Sequence, residues 1–405
     1  MINEYAQALK RKLLGDVCLS REFYVYLLTF SFYNLGTVLS GMFVNIFLLK
    51  TQDSITPVLL YNIFIYAFVP VGFVAAGIMG KLKNLSMQIR LGIIFINVMY
   101  IILVLLGARA AAFVIPLGIL NGFSQGLYFL AHVMMIMEFT DNSTIDASLS
   151  LITIMSNIIG VVMPLAAGLI IGALAGTAGY ITVFCISLLF FITASVISFK
   201  IPIVKTEPGI NYKTVLKLYF TNKNWIFLGS SDFLRGVREG VMGFLLSILL
   251  FQAIKSEMLI GVNSFSCSII SLLAFMYLTS RLTPQNRLRS FLFAAVCAAV
   301  SSLLLFLGIN VYTIFIFSII SSLAVMVMQN VSSAIGLTFI SRQEAVKKRR
   351  IESVTVRESF INSGRVLGIA LLFFINVEHS PLIATLFVAS LYLLQIINWT
   401  FLRRI

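Results

Sequence analysis

The chain has 405 residues, 60% of them hydrophobic and only 11% charged, with a mean hydropathy of +1.01. A soluble domain must wet its own outside, so this composition excludes a water-soluble globular protein. The net charge of +14 would suit nucleic acid, but membrane topology accounts for where the basic residues lie, which excludes that partner.

Apolar, non-alternating runs of about 20 residues recur from end to end, each long enough to cross about 30 Å of hydrocarbon as a helix. They predict an all-α integral membrane protein with twelve spans near 23–49, 56–79, 89–107, 111–137, 147–174, 179–199, 224–252, 258–280, 288–308, 311–340, 353–376 and 381–402. The longest polar connection carries Pro202, Pro208, Gly209 and five lysines, and six spans lie on either side of it. The expected organisation is an N-terminal cytoplasmic segment 1–22, a six-helix bundle 23–199, a cytoplasmic linker 200–223 and a second bundle 224–405. With the N-terminus inside, 22 of the 29 Lys and Arg fall in cytoplasmic segments, and only Lys50, Arg109 and Lys255 fall outside. By the positive-inside rule, both termini face the cytoplasm of an inner or plasma membrane. Residues 3–14, with Lys10, Arg11 and Lys12, read as an interfacial helix on anionic headgroups, with a disordered tail as the alternative.

Within the first span, Asn34, Thr37 and Ser40 mark a polar stripe. The link after the second span reads Gly80-Lys-Leu-Lys-Asn84-Leu-Ser-Met-Gln-Ile-Arg90. The fourth span carries Asn121, Gln125, Tyr128 and His132 within about 60° on a helical wheel. That stripe reads as cavity lining, with interhelical hydrogen bonding as the alternative. For His132, near the cytoplasmic end, hydrogen bonding is preferred to proton exchange. The fifth span places Gly160, Pro164, Gly168 and Gly172 at every fourth position, a face with almost no side-chain bulk and a point at which to bend. The halves echo each other weakly. A shift of 200 positions puts Gly36 on Gly236 and Met42 on Met242, and a shift of 204 puts Gly160 on Gly364 and Pro164 on Gly368.

Twelve spans, a central loop and the pattern Gly-x-Leu-x-x-x-x-x-x-x-Arg after the second span resemble the major facilitator superfamily. The resemblance implies two pseudo-symmetric six-helix bundles and a cavity lined by the first, fourth, seventh and tenth helices. In that family the link carries an Asp that helps latch the halves together, and here Asn84 stands in its place. The fifth-span glycines resemble the family's Gly/Pro-rich motif, although plain helix packing is the preferred reading. Asn121-Gly122-Phe-Ser-Gln125-Gly126 resembles its Arg-x-x-Gln-Gly pattern, with Gly122 where the Arg would be.

The seventh span holds the strongest functional signal: Asp232, Arg235, Arg238 and Glu239, within about 120° of each other. Counting about 1.5 Å per residue puts them at middle depths, where an ionised group costs about 2.5–3.5 kcal/mol even on the lower scale. Arg235 is spaced to meet Asp232 at i−3 and Glu239 at i+4. The eleventh span adds Glu358, Asn362 and Arg365 on one stripe, while Arg357 is placed to snorkel toward the cytoplasm. Four arginines face three carboxylates, and the surplus guanidinium suits a carboxylate or phosphate. In the tenth span Ser322, Gln329 and Ser333 form a further stripe. The cluster is read as a binding or coupling site, and a self-satisfied structural ion-pair network is the alternative.

No P-loop, zinc motif, catalytic triad or paired cysteines occur, so neither an enzyme nor a cofactor is expected. The leading expectation is a monomeric secondary transporter in the lipid bilayer. It moves a small polar or amphiphilic solute, with an anion favoured and the proton as the candidate coupling ion. A lipid or glycolipid flippase and a transport-inactive sensor or scaffold are the alternatives.

Overall fold

In the computed structural model, residues 19–82, 84–141, 144–204, 211–279, 282–343, 346, 349–375 and 380–405 are described. The expected interfacial helix at 3–14 lies outside them. Among the described residues the chain is helical and contains no strand. The first six spans are α1 (Arg21–Gln52), α2 (Thr56–Leu82), α3 (Leu85–Leu106), α4 (Val114–Glu138), α5 (Ile145–Ala173) and α6 (Ala178–Ser198). The second six are α8 (Lys223–Ile254), α9 (Glu257–Thr279), α10 (Arg287–Ser302), α11 (Val311–Arg342), α12 (Arg350–Phe374) and α13 (Pro381–Leu402). Between the two sets lies a short helix that the sequence reading left unassigned, α7 (Tyr212–Thr221).

Local chemistry sets these boundaries. Ser20 accepts from the Phe23 amide at 3.1 Å and starts α1. Asn310 and Thr313 form a reciprocal capping box at the start of α11. Ser380 caps α13, whose first turn contains Pro381, a position where the missing N–H costs nothing. Among the described residues ten stretches are long and apolar enough to cross a membrane, and one of them, Leu85–Glu138, contains both α3 and α4. The charges of α12 keep it off that set, although it stands in the bundle with the rest.

Helix packing shows a two-fold repeat. In the first half α1 packs on α5 and α6, α2 on α4, and α3 on α4 and α6. In the second half α8 packs on α12 and α13, α9 on α11, and α10 on α11 and α13, which are the same pairs six spans later. Between the halves, α5 runs against α9 and α2 against α12, again a symmetric pair of contacts. This is the major facilitator arrangement that the resemblance implied.

Several residues quoted for that resemblance act within one half. Asn84 caps α3 by accepting from the Met87 amide at 2.7 Å. Arg90 donates to the carbonyls of Ser198 (3.2 Å) and Ile201 (2.8 Å), pinning α3 to the end of α6. Gly80 lies in the last turn of α2. Among the described residues, the hydrogen bonds of Asn84 and Arg90 stay within the first half. Gly122 has a packing reason. A Cβ there would fall 2.1 Å from the Ile65 carbonyl oxygen, so no arginine fits where α2 and α4 meet at backbone distance.

The linker helix α7 buries Val215 and Tyr219 against Trp225, Leu228 and Val356. The Asn211 amide donates to the Glu352 carboxylate at 3.2 Å, tying the start of α7 to α12.

An arginine–carboxylate cluster and the cavities around it

The site begins with glycines. On α8, a Cβ at Gly236 would lie 2.0 Å from the Ile361 carbonyl, and one at Gly240 would lie 2.6 Å from the Arg365 Cα. On α12, a Cβ at Gly364 would lie 2.1 Å from the Phe233 carbonyl, and one at Gly368 would lie 2.4 Å from the Val237 carbonyl. The two helices therefore touch backbone to backbone, which brings the charged faces of both within bonding range.

Arg357 grips Asp232 with two hydrogen bonds, Nε to Oδ2 at 2.9 Å and Nη2 to Oδ1 at 3.1 Å. Asp232 is 2% exposed and Arg357 8%, so the snorkelling expected of Arg357 does not occur. Nor does Arg235 bond to Asp232, as its i−3 spacing suggested. It donates instead to Glu239 at 2.6 Å and to the Ser333 hydroxyl at 3.1 Å. Glu239 also takes Arg365 at 2.8 Å and, more loosely, Arg238 at 3.5 Å. One carboxylate thus stands among three guanidinium groups. Arg365 also bonds the Asn362 side chain at 3.1 Å and lies over the Tyr66 ring at 5.0 Å, which brings α2 of the other half to the cluster. Glu358 differs from the other acids: it makes no side-chain hydrogen bond or ion pair among the described residues.

Three adjoining cavities surround this cluster. One of 290 Å³ has Arg238, Glu239, Asn263 and Tyr392 in its wall. A second, of 260 Å³, lies in the first half against Thr37, Tyr61, Asn121 and Gln125, and shares Gly243 and Ser247 with the first. The third, of 460 Å³, lies between α5, α9 and α11 and shares Cys267 and Ser322 with the first.

The fourth-span stripe divides accordingly. Asn121 donates to Tyr61 at 2.7 Å and Gln125 to Asn121 at 2.9 Å, both in a cavity wall. Tyr128 is buried and stacks on Tyr33 with centroids 3.6 Å apart. His132 shares a 2.5 Å hydrogen bond with Tyr26 and stacks on Phe30, so these two residues pack rather than line. Asn34 is half-buried on α1, and Gln329 stands in the 460 Å³ cavity.

The fifth-span motif divides as well. Gly168 meets α9, a Cβ there lying 3.1 Å from the Gly261 Cα, whereas nothing stands within 4 Å of a Cβ on Gly160, which is in a cavity wall. Thus α5 and α9 touch at the end of the bundle far from the linker and separate toward the linker end. The far end is also closed by charge. Lys50 donates to Glu257 at 2.9 Å, Tyr180 donates to the same oxygen at 2.8 Å, and the Lys50 ammonium lies 5.5 Å from the Tyr180 ring centroid. These contacts join α1 and α6 to α9 across the halves. Sequence reasoning missed Glu257, Lys50, Tyr66 and Asn157. Only the position of Glu257, a carboxylate at the very start of an apolar run, hinted at a role.

The helices adopt the major facilitator fold, two six-helix bundles around central cavities with charged groups buried between the seventh and eleventh spans. The crystal structure of a mutant of the peptide transporter POT in complex with sulfate superposes with a TM-score of 0.71 at 13% identity, over 98% of this chain and 97% of that one. No family model matches the sequence. The chain belongs to one family with the uncharacterized protein in the sodM 3' region of Geobacillus stearothermophilus, 33% identical over 174 residues, which are 43% of this chain and 81% of that protein. It is also 27% identical over 359 residues to the uncharacterized protein YqgE of Bacillus subtilis (strain 168), spanning 89% of this chain and 84% of that protein.

Proposed function

We propose that this protein is a secondary active transporter that moves a small polar, anionic solute by alternating access, with the linker end in the cytoplasm. The observation that carries the reading is Glu239 held among Arg235, Arg238 and Arg365 at the wall of the 290 Å³ cavity, which shares residues with two cavities lined from both halves. Positive charge in excess at middle depth is costly unless a counter-charge arrives, and a diffusible anion supplies one. Contact between the halves at the far end, with α5 and α9 apart near the linker, describes the inward-facing arrangement. The polar cavity walls favour a soluble cargo over a lipid.

The test uses spin labels on exposed helix positions in the protein reconstituted in nanodiscs. One pair, Leu149→Cys with Met276→Cys, reports the linker end. Another, Leu174→Cys with Met258→Cys, reports the far end. Two exchanging populations with opposite distance changes are expected, and a single fixed distance at both ends would overturn the transporter reading. Glu257→Gln should raise the far-end-open population by about five-fold, the equivalent of about 1 kcal/mol for a pair whose lysine is largely exposed.

Glu358 is the proposed proton carrier, because Asp232 and Glu239 are engaged by arginines and Glu358 is not. Arg365, Arg357, Arg235 and Asp232 all act on it electrostatically. A carboxylate that takes up and releases the coupling proton makes the wild-type populations depend on pH, and Glu358→Gln should flatten that dependence while leaving both populations present. A wild-type distribution indifferent to pH would exclude proton coupling through this residue.

A further inference from the structure

The 460 Å³ cavity between α5, α9 and α11 has a distinct chemistry. Among the described residues neither a charged nor an aromatic side chain lines it. Ser156, Asn157, Ser268, Gln329 and Asn330 stand in its wall, and none makes a side-chain hydrogen bond among the described residues. The 260 Å³ cavity differs, because its amides are spent on one another: Asn62 on Asn45 at 2.8 Å and Gln125 on Asn121 at 2.9 Å. Gly160 adds an acceptor. Residue 164 is proline, so the Gly160 carbonyl lacks its intrahelical donor. Unspent donors and acceptors inside a membrane protein are costly unless water or a ligand meets them.

This cavity meets the 290 Å³ one at Cys267 and Ser322, and Arg238 lies in the wall of the latter. Arg238 is 1% exposed, yet its partners among the described residues are weak: the Glu239 carboxylate at 3.5 Å and the Met328 sulfur at 3.6 Å. A buried guanidinium so poorly satisfied is built to receive an anion.

We infer that the joined cavities bind a polyhydroxylated anion, its carboxylate or phosphate at Arg238 and its hydroxyls among the hydroxyl and carboxamide groups between α5, α9 and α11. A hydroxyl donates and accepts at one atom, and so does each serine here, while each carboxamide offers both functions side by side. A nucleobase would want an aromatic ring to stack on, and none of the described residues of this wall supplies one. An ammonium-bearing solute would want a free acid, and the one acid in the adjoining wall, Glu239, is already taken by arginines. The inference rests on the transporter reading and narrows its substrate.

The experiment uses four six-carbon probes on the purified full chain in nanodiscs: D-gluconate, D-glucitol 6-phosphate, hexanoate and D-glucitol. Cys267, in the wall of both cavities, serves as reporter by alkylation with N-ethylmaleimide, with Cys18, Cys185 and Cys297 replaced by Ser. D-gluconate or D-glucitol 6-phosphate should protect Cys267 at concentrations at least ten-fold below those needed for hexanoate or D-glucitol. Arg238→Gln should abolish protection. Because that residue is buried, the pair Asn157→Ala with Gln329→Ala serves as the second variant. It should keep the wild-type melting temperature and erase the ten-fold preference for the hydroxylated probe over hexanoate. Failure of both hydroxylated anions, equal protection by hexanoate, or an unaltered preference in the double variant would each overturn the inference. Should the spin-label populations still exchange in that case, the transporter reading survives and only the substrate class falls.

Discussion

Arg357→Ala should destabilise the protein by about 3–5 kcal/mol, the range for breaking a buried ion pair from one side. Asp232 is 2% exposed and receives two hydrogen bonds, both from Arg357. Removing the guanidinium leaves a carboxylate at middle depth with no compensating charge, and a cost of about 2.5–3.5 kcal/mol for such a group on the lower membrane scale points the same way. Asp232→Asn should hurt by the mirror-image route, stranding a guanidinium that is 8% exposed. The double variant Asp232→Asn with Arg357→Gln should recover most of the loss, because two neutral partners of similar shape refill the site without a charge to solvate. Thermal unfolding in nanodiscs of the wild type, Asp232→Asn, Arg357→Gln and their combination checks this as a double-mutant cycle, with Arg357→Ala measured beside them. Equal, small effects of all three variants would show that water reaches Asp232 and that the pair is not buried. Arg235→Ala should cost less, since Glu239 keeps Arg365 at 2.8 Å.

The same pair shows where reading the chain reaches its limit. Span positions, the clustering of charge on α8 and the stripe on α12 follow from period and hydropathy, which are local properties. A helical wheel also finds Arg235 beside Glu239, four residues apart. It cannot find Arg357 beside Asp232, because that depends on how far α12 slides along α8, which the interlocking glycines decide. The fourth-span stripe fails at its lower end for a similar reason. Tyr128 and His132 share a face with Asn121, yet Tyr33 and Phe30 of α1 stand against them and turn lining into stacking. Ser156 and Asn157 went unnoticed because they precede a glycine motif that drew attention to packing. Helix α7 was legible in principle, since Val215 and Tyr219 lie at i, i+4 in an otherwise polar linker.

Glycines that the internal repeat pairs should respond oppositely to the same substitution. A shift of 204 positions superposes Gly160 on Gly364, and by sequence alone both are small residues on a packing face. In the structure, a methyl group at Gly364 would stand 2.1 Å from the Phe233 carbonyl, 2.9 Å from the Val237 nitrogen and 3.0 Å from the Phe233 carbonyl carbon. All three are backbone atoms of one helix, so no rotamer change relieves them. Gly364→Ala must push α12 away from α8 by about 1 Å, an overpacking strain of about 1–3 kcal/mol. The same displacement lengthens the 2.8 Å contact between Arg365 and Glu239 one turn along, so loss of charge pairing adds to the steric term. Gly160→Ala meets nothing within 4 Å and should leave the melting temperature unchanged or slightly raised, alanine being the better helix former by about 1 kcal/mol. Comparing the two variants by thermal unfolding separates close helix packing from cavity lining without a ligand. If both lower stability alike, α5 closes on its neighbours at Gly160 and the cavity assigned there is filled by protein. If neither does, α8 and α12 are not in backbone contact, and the ion pairs between them need another explanation.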